Sequence, residues 1–247
     1  MGILNVTPDS FSDGGMVASP EAAAERAEQL VAEGADILDL GAESTRPGAE
    51  PVDAATELSR LLPAIAAVRR RLPDIPLSVD TYKAEVAAAC IAAGADVIND
   101  VEGGSHEADP TGSPMARTCA RLGCPLILMH RRKEPNYKDF WPEILAETSH
   151  LIQRARAAGL PPAQLWVDPG FGFGKTPAQN LQLVRNLEKF AALGYPVLLG
   201  TSRKSTLGLV LGETDPLRRG AGNDVTAAWG VAQGCSMVRV HEVAAIR

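Results

Sequence analysis

The sequence predicts a (β/α)8 barrel, and three observations carry that prediction. Eight short apolar runs, each of the kind that forms a buried strand, alternate with segments of helical period along 247 residues. The phrases Glu33-Gly34-Ala35-Asp36 and Ala93-Gly94-Ala95-Asp96 close two helical segments and open the next strands in the same way. Gly159, Gly194 and Gly234 stand just beyond other helical segments, where a left-handed residue ends a helix. A doubly wound open sheet is the rival fold. It usually carries a glycine fingerprint after its first strand, and none follows here.

The elements follow in order. Ile3–Val6 reads as the first strand, Thr7–Gly15 as a polar loop and Pro20–Ala32 as an amphipathic helix. Asp36–Leu40 is the second strand, followed by a long loop from Gly41 to Pro51 and a helix over Ala54–Arg71. Leu77–Val79 and a helix near Lys83–Ala93 come next, then Val97–Ile98, a loop of Asp, Gly, Ser and His, and a helix over Pro114–Leu122. Pro125–Met129 is the fifth strand, with a helix over Glu143–Ala158. Leu165–Val167, Pro196–Leu199 and Met237–Val240 complete the set of strands, separated by a helix over Pro177–Phe190 and another from about Asn223. Six residues follow His241, too few for an eighth helix. The whole of residues 1–247 reads as one domain.

Composition narrows the class. Hydrophobic residues make up 45%, enough for a globular core, and Lys+Arg 24 against Asp+Glu 30 gives a net charge of −6. That balance argues against nonspecific binding to nucleic acid or an anionic membrane. No apolar run approaches the roughly 20 residues that span a bilayer. No basic-then-apolar leader opens the chain, so a cytoplasmic protein is expected. Cys90, Cys119, Cys124 and Cys235 have neither C-x-x-C spacing nor a histidine at zinc spacing, and read as buried thiols in a reducing compartment.

Barrel enzymes build their sites at the C-terminal ends of the strands. Those ends carry Asn5, Asp39 to Arg46, Asp80, Asn99 with Asp100, His130, Asp168, Ser202-Arg203-Lys204, and Arg239 with His241. Asp80, Asn99 and Asp168 suit a heterocycle: one carboxylate can accept two parallel bonds from an amidine-like edge, and an amide both donates and accepts. Lys204 adds a cation on the same rim. Arg46, Arg203, Arg239 and His241 form an anion-binding set, Asn5 offers an amide oxygen to a hard cation, and the backbone from Ser205 offers N–H groups to an anion. The bland alternative is that the aspartates cap helices and the arginines are solvated charges. Two sharper readings fail. Pro169 stands where a P-loop needs its first glycine before Gly174-Lys175-Thr176, and His106, His130, His150 and His241 are not spaced as zinc ligands.

The motifs in order resemble those of the dihydropteroate synthase family. The opening Met1 to Gly15, Glu43-Ser-Thr-Arg-Pro-Gly48, Ser78-Val-Asp-Thr81, Ile98-Asn-Asp-Val101, Asp168-Pro-Gly-Phe-Gly-Phe-Gly-Lys175, Thr201-Ser-Arg-Lys-Ser205 and Val240-His-Glu-Val243 carry that resemblance along the whole chain. It implies a barrel that joins (7,8-dihydropterin-6-yl)methyl diphosphate to 4-aminobenzoate and releases diphosphate. By matched position, Asp80, Asn99, Asp168 and Lys204 would hold the pterin, and Met129 and Gly200 would be further substrate-binding positions. Asn5, Arg239 and His241 would hold the diphosphate and its Mg2+. Thr45, Arg46, Phe173, Lys204 and Ser205 would surround 4-aminobenzoate, the place sulfonamides imitate. Asp80, Asp168, Lys204, Arg239 and His241 would form the catalytic set. Family members are typically homodimers.

The chemistry fits the residues. An arylamine is already neutral at pH 7, so no strong base is needed, and the hard step is C–O cleavage at the pterin methylene. A dissociative path is expected, with charge on the leaving diphosphate met by Mg2+, Arg239 and His241. The loops Thr7–Gly15 and Ala42–Pro51 are expected to close as lids. After Met129-His130 the chain departs from the common family pattern and reads Arg-Arg-Lys-Glu-Pro-Asn-Tyr, and the missing last helix bears on the dimer, which that helix commonly helps to form. A corrinoid-dependent methyltransferase domain and a non-catalytic pterin-binding paralogue compete with the synthase reading. The former would not need the Ser-Thr-Arg-Pro-Gly and Ser-Arg-Lys-Ser motifs.

Overall fold

A computed structural model describes residues 1–7, 19–43, 50–106 and 112–247. The strands are β1 (Gly2–Asn5), β2 (Leu38–Gly41), β3 (Leu77–Asp80), β4 (Val97–Asp100), β5 (Leu126–Met129), β6 (Leu165–Asp168), β7 (Leu198–Leu199) and β8 (Met237–Val238). The helices are α1 (Pro20–Ala32), α2 (Ala54–Arg71), α3 (Ala84–Ala92), α4 (Pro114–Leu122), α5 (Phe140–Ala157), α6 (Pro177–Arg185), α7 (Glu188–Ala191), α8 (Ser205–Leu211) and α9 (Gly220–Ala232).

Local chemistry sets the helix ends. Ser19 Oγ accepts from Ala22 N at 3.1 Å and Asp53 Oδ1 from Thr56 N at 2.7 Å, each satisfying an orphan N–H of the first turn. Thr176 and Gln179 form a reciprocal capping box at the start of α6. The two Gly-Ala-Asp phrases are the same helix stop built twice. Gly34 and Gly94 sit at φ +103° and +108°, and the next amide reaches back to Leu30 O and Cys90 O at 2.9 Å in each case.

Strands β1 to β6 pair in parallel and in sequence order, and β7 pairs β8. Two single bridges join these sheets, Val167 with Val197 and Gly2 with Val240, and so close the ring. Val167 N donates to Pro196 O at 3.0 Å, and Ile3 N to Val240 O at 2.9 Å. The result is the expected eight-stranded barrel. Inward side chains alternate with outward ones along each strand. A small apolar cluster of Met1, Ile37, Ile127 and Leu198, with Val97, Trp166 and Met237 against it, fills the lower barrel. The larger core lies between strands and helices.

Several boundaries differ from those the sequence suggests. The segment Pro177–Phe190 is two helices, because the chain breaks at Asn186 (φ −126°, ψ 42°). The helix expected from Glu143 begins earlier, at Phe140, and the one expected from Asn223 begins at Gly220, with α8 before it. The last strand stops at Val238, although Val240 still bridges to Gly2. Residues 239–247 hold no helix. All four cysteines are buried and unpaired. Among the described residues, no helix is long and apolar enough to cross a membrane.

Candidate active site

The polar layer arises from strand alternation. Two residues beyond Ile37, Val97, Ile127, Trp166, Leu198 and Met237 stand Asp39, Asn99, Met129, Asp168, Gly200 and Arg239. A two-residue step keeps a side chain on the same face of its strand, so these point into the barrel one layer nearer the mouth. The register sets Asn5 beside Gly41, Gly41 beside Asp80, and Asp80 beside Asn99. Asn5 and Asp80 thus flank a residue with no side chain: a Cβ on Gly41 would stand 3.6 Å from both Asn5 Oδ1 and Asp80 Cβ.

Arg239 organises the centre of this layer. Its Nε donates to Asp39 Oδ2 at 2.6 Å and its Nη2 to Asp80 Oδ2 at 2.8 Å. Asn99 Nδ2 donates to the same Asp39 oxygen at 3.1 Å. The remaining oxygens, Asp39 Oδ1, Asp80 Oδ1 and Asn99 Oδ1, are buried without a hydrogen-bond partner. Buried polar atoms are nearly always paired, so three such acceptors together suit a ligand rich in N–H donors. Asp168, from β6, accepts from Gly170 N at 2.7 Å. Lys204 Nζ donates to Phe171 O at 2.6 Å and lies 4.7 Å from the centre of the Phe173 ring. A Cβ on Gly200 would stand 3.8 Å from Arg239 Cβ and 3.9 Å from Lys204 Nζ, so this position lies between the two side chains.

Burial tunes these groups. It raises the Asp80 carboxyl to about 7 against the opposing pull of Arg239. It raises Asp168 as well, with Lys204 opposing. It lowers Lys204 to about 8, with Asp168 opposing. For Arg239 burial is outweighed by Asp39 and Asp80, which hold the guanidinium charged. A cluster of perturbed groups at a barrel mouth is a site signature.

Other rim residues have different work. Asp100 Oδ1 and Oδ2 accept from Glu102 N at 2.8 Å and Gly104 N at 2.7 Å, shaping the turn after β4. Arg203 pairs with Glu242 instead of facing the barrel centre. His241 Nδ1 lies 2.9 Å from Ser202 Oγ, which places the ring beside the start of α8. Ser205 is exposed as the first residue of that helix. Thr45 and Arg46, and most of both expected lid loops, lie outside the described residues.

The unusual loop after β5 is tied to α5 and to its neighbours. Arg131 pairs with Glu102 and has its guanidinium carbon 5.6 Å from the Phe173 ring centre. Arg132 pairs with Glu143 and Glu147 and lies over Tyr137 at 3.9 Å. A cavity of about 390 Å3, lined by residues that include Glu102, Met129, Arg131, Glu147 and His150, opens on the α5 side of this loop, beside the polar layer and not over it. Two residues gain a role only from the structure. Asp39 stands at a strand end, and its parity places it inward. Lys175 closes the motif that begins at Asp168, and no contact of its side chain is legible in the sequence.

The residue pattern matches the pterin binding enzyme model over residues 1–241. The chain belongs to the pterin binding enzyme family. This pterin-binding enzyme is 46% identical over 243 residues to the dihydropteroate synthase of Bacillus subtilis, covering 98% of this chain and 83% of that one. A Clostridium difficile dihydropteroate synthase solved in the presence of pteroic acid superposes with a TM-score of 0.92 at 42% identity, covering 100% of this chain and 91% of that one. A Xanthomonas albilineans dihydropteroate synthase solved with 4-aminobenzoic acid gives 0.93 at 43% identity, with 100% and 88% covered.

Proposed function

We propose that this pterin-binding enzyme is a dihydropteroate synthase, a transferase that condenses (7,8-dihydropterin-6-yl)methyl diphosphate with 4-aminobenzoate. The observation that carries the reading is the inward polar layer, in which buried acceptors of Asp39, Asp80 and Asn99 meet Arg239, with Asp168 and Lys204 on the same rim. The ordered relatedness to dihydropteroate synthases along the chain supports it.

In this reading Asp168 accepts two parallel bonds from the amidine edge of the pterin, and Asp80 and Asn99 meet its remaining polar atoms. Met129 and Gly200 shape the slot. Lys204 lies between pterin and arylamine, and Thr45, Arg46, Phe173 and Ser205 border the arylamine. The methylene C–O bond breaks and its electron pair leaves with diphosphate, whose oxygens Arg239 and His241 stabilise. The carboxylates of Asp80 and Asp168 stabilise the cationic pterinylmethyl group electrostatically. The arylamine nitrogen then forms the C–N bond, and its extra proton passes to solvent. The Asn5 amide oxygen would hold a Mg2+ ion together with diphosphate oxygens. Its place beside Gly41 and Asp80 fits a hard cation, and such an ion neutralises charge on the leaving group.

The same reading makes the chain one pterin-binding domain over residues 1–247 and a sulfonamide target. Four buried unpaired thiols support a reducing, cytoplasmic setting. A homodimer is supported by the outer face of α9, where Val225, Trp229 and Val231 are exposed. The test is product formation: diphosphate release matched one for one by dihydropteroate, dependent on Mg2+ and on 4-aminobenzoate. Tight pterin binding without product would instead leave the non-catalytic paralogue.

A further inference from the structure

Lys175 ends the β6 turn and has no part in the steps above, yet its side chain is only 8% exposed. Its ammonium lies 2.9 Å from Gly170 O, 3.1 Å from Phe173 O, 3.4 Å from His130 O and 3.2 Å from His130 Nδ1. All four acceptors are neutral. Buried ammonium groups are ordinarily paired with an opposite charge, so this one is solvated the way a bound alkali ion would be. Asp168 and Glu147 supply only longer-range attraction, and burial lowers the group to about 7.

The surroundings explain what such a cation does. The turn after β6 and the loop after β5 touch backbone to backbone. A Cβ on Gly170 would lie 1.8 Å from His130 O, and one on Gly174 2.2 Å from Arg132 O, with both glycines in the left-handed region at φ +68° and +58°. Bringing these carbonyls together costs electrostatic energy unless a positive group sits among them. With the ammonium donating to Nδ1, the imidazole of His130 carries its proton on Nε2 and donates to Glu147 Oε2 at 2.7 Å. Burial, reinforced by the Lys175 charge, lowers His130 to about 4, so that ring stays neutral.

We propose that Lys175 is a positioning residue, a tethered cation that sets the β6 turn against the β5 loop and thereby places Phe173 and Asp168 for the two substrates. The link to Asp168 runs through Gly170, whose carbonyl takes the ammonium while its N–H holds Asp168 Oδ1. The link to the arylamine side runs through the Phe173 carbonyl. This inference rests on the synthase reading for its substrates, not for its geometry.

The test uses the full chain with Lys175→Met, which keeps length and apolar packing without charge, and Lys175→Ala with added propylammonium. Lys175→Met is expected to raise KM for 4-aminobenzoate about tenfold or more, the scale of lost charge-assisted hydrogen bonds, while Tm falls by only a few degrees because relief of a costly buried charge partly offsets the carbonyls left without a donor. Lys175→Ala is expected to recover partly with propylammonium chloride and not with equal propanol or sodium chloride. Wild-type KM and kcat in Lys175→Met would overturn the proposal, as would rescue by propanol as good as by propylammonium. If Lys175→Met fails to fold, the alanine variant decides. If the wild-type chain forms no dihydropteroate, the synthase reading falls, and calorimetry with pteroic acid still decides here: equal affinity in wild type and Lys175→Met would refute the role of Lys175.

Discussion

Arg239 lies between two buried carboxylates, and one of them, Asp39, is completely inaccessible to solvent. Removing one member of such a group leaves the others charged and unpaired. Asp39→Ala is therefore expected to lower unfolding free energy by about 3 kcal/mol, read from the denaturant midpoint, and to weaken pterin binding by releasing Arg239 and Asn99. A midpoint equal to that of the unaltered chain would show that Arg239 relaxes to solvent at no cost. Asp39 illustrates what single residues reveal in a sequence. Its chemistry and its place at the end of a strand were legible. Its partner lies two hundred positions away, and no local pattern encodes that distance. Asp168 and Lys204 were easier to assign because each stands inside an ordered family motif.

At the scale of elements, strand parity makes the site. The two-residue step from an apolar lower layer to a polar upper one runs from Ile37 to Asp39, Val97 to Asn99, Trp166 to Asp168 and Met237 to Arg239, and it is legible once the apolar runs are placed. Helix breaks were less so: the period of Pro177–Phe190 continues through Asn186, whereas the backbone leaves the helical region there at φ −126° and ψ 42°. The elements also set a pH window by bringing carboxylates from β3 and β6 to an ammonium at the head of α8. Asp80, raised to about 7 by burial, must ionise to serve the pterin, so kcat/KM rises as pH climbs through that value. Lys175, lowered to about 7, and Lys204, lowered to about 8, must keep their protons, so activity falls again as pH rises through these values. A narrow bell in kcat/KM near neutral pH is expected. A flat profile between these limits would contradict the electrostatic assignment. At the entry to α6, Thr176→Ala removes the capping box and is expected to cost about 1 kcal/mol, measured by thermal unfolding at unchanged KM.

For the whole molecule, α9 is the exception in the helix layer. Asn223, Thr226, Ala227 and Gly230 face the barrel, yet the outer side carries Val225, Trp229 and Val231, exposed at 69%, 49% and 58%. Leu209, Val210 and Leu211 of α8 extend the patch. An exposed apolar face of this kind is normally covered, and these side chains give a second copy of the chain a surface to cover. Trp229→Glu with Val225→Glu is expected to shift the species seen by analytical ultracentrifugation from dimer to monomer. An unaltered chain that already sediments as a monomer would remove the dimer from the account. The barrel was legible from periodicity and repeated helix stops, and the chemistry from motif order. The outer face was not, because exposed and buried apolar residues look alike until the fold assigns their sides.

In the proposed function the inward carboxylates at the barrel mouth bind the pterin so that diphosphate can leave. The most direct measurement is dihydropteroate formation by the unaltered chain and by Asp168→Asn at neutral pH, with Tm recorded for both. The asparagine oxygen can still accept from Gly170 N, so the fold is kept, but the charge facing the pterin is lost. Turnover by the unaltered chain is expected, with a loss of about a hundredfold in kcat/KM in the variant at similar Tm. Equal rates in the two proteins, or no product from the unaltered chain, would contradict it.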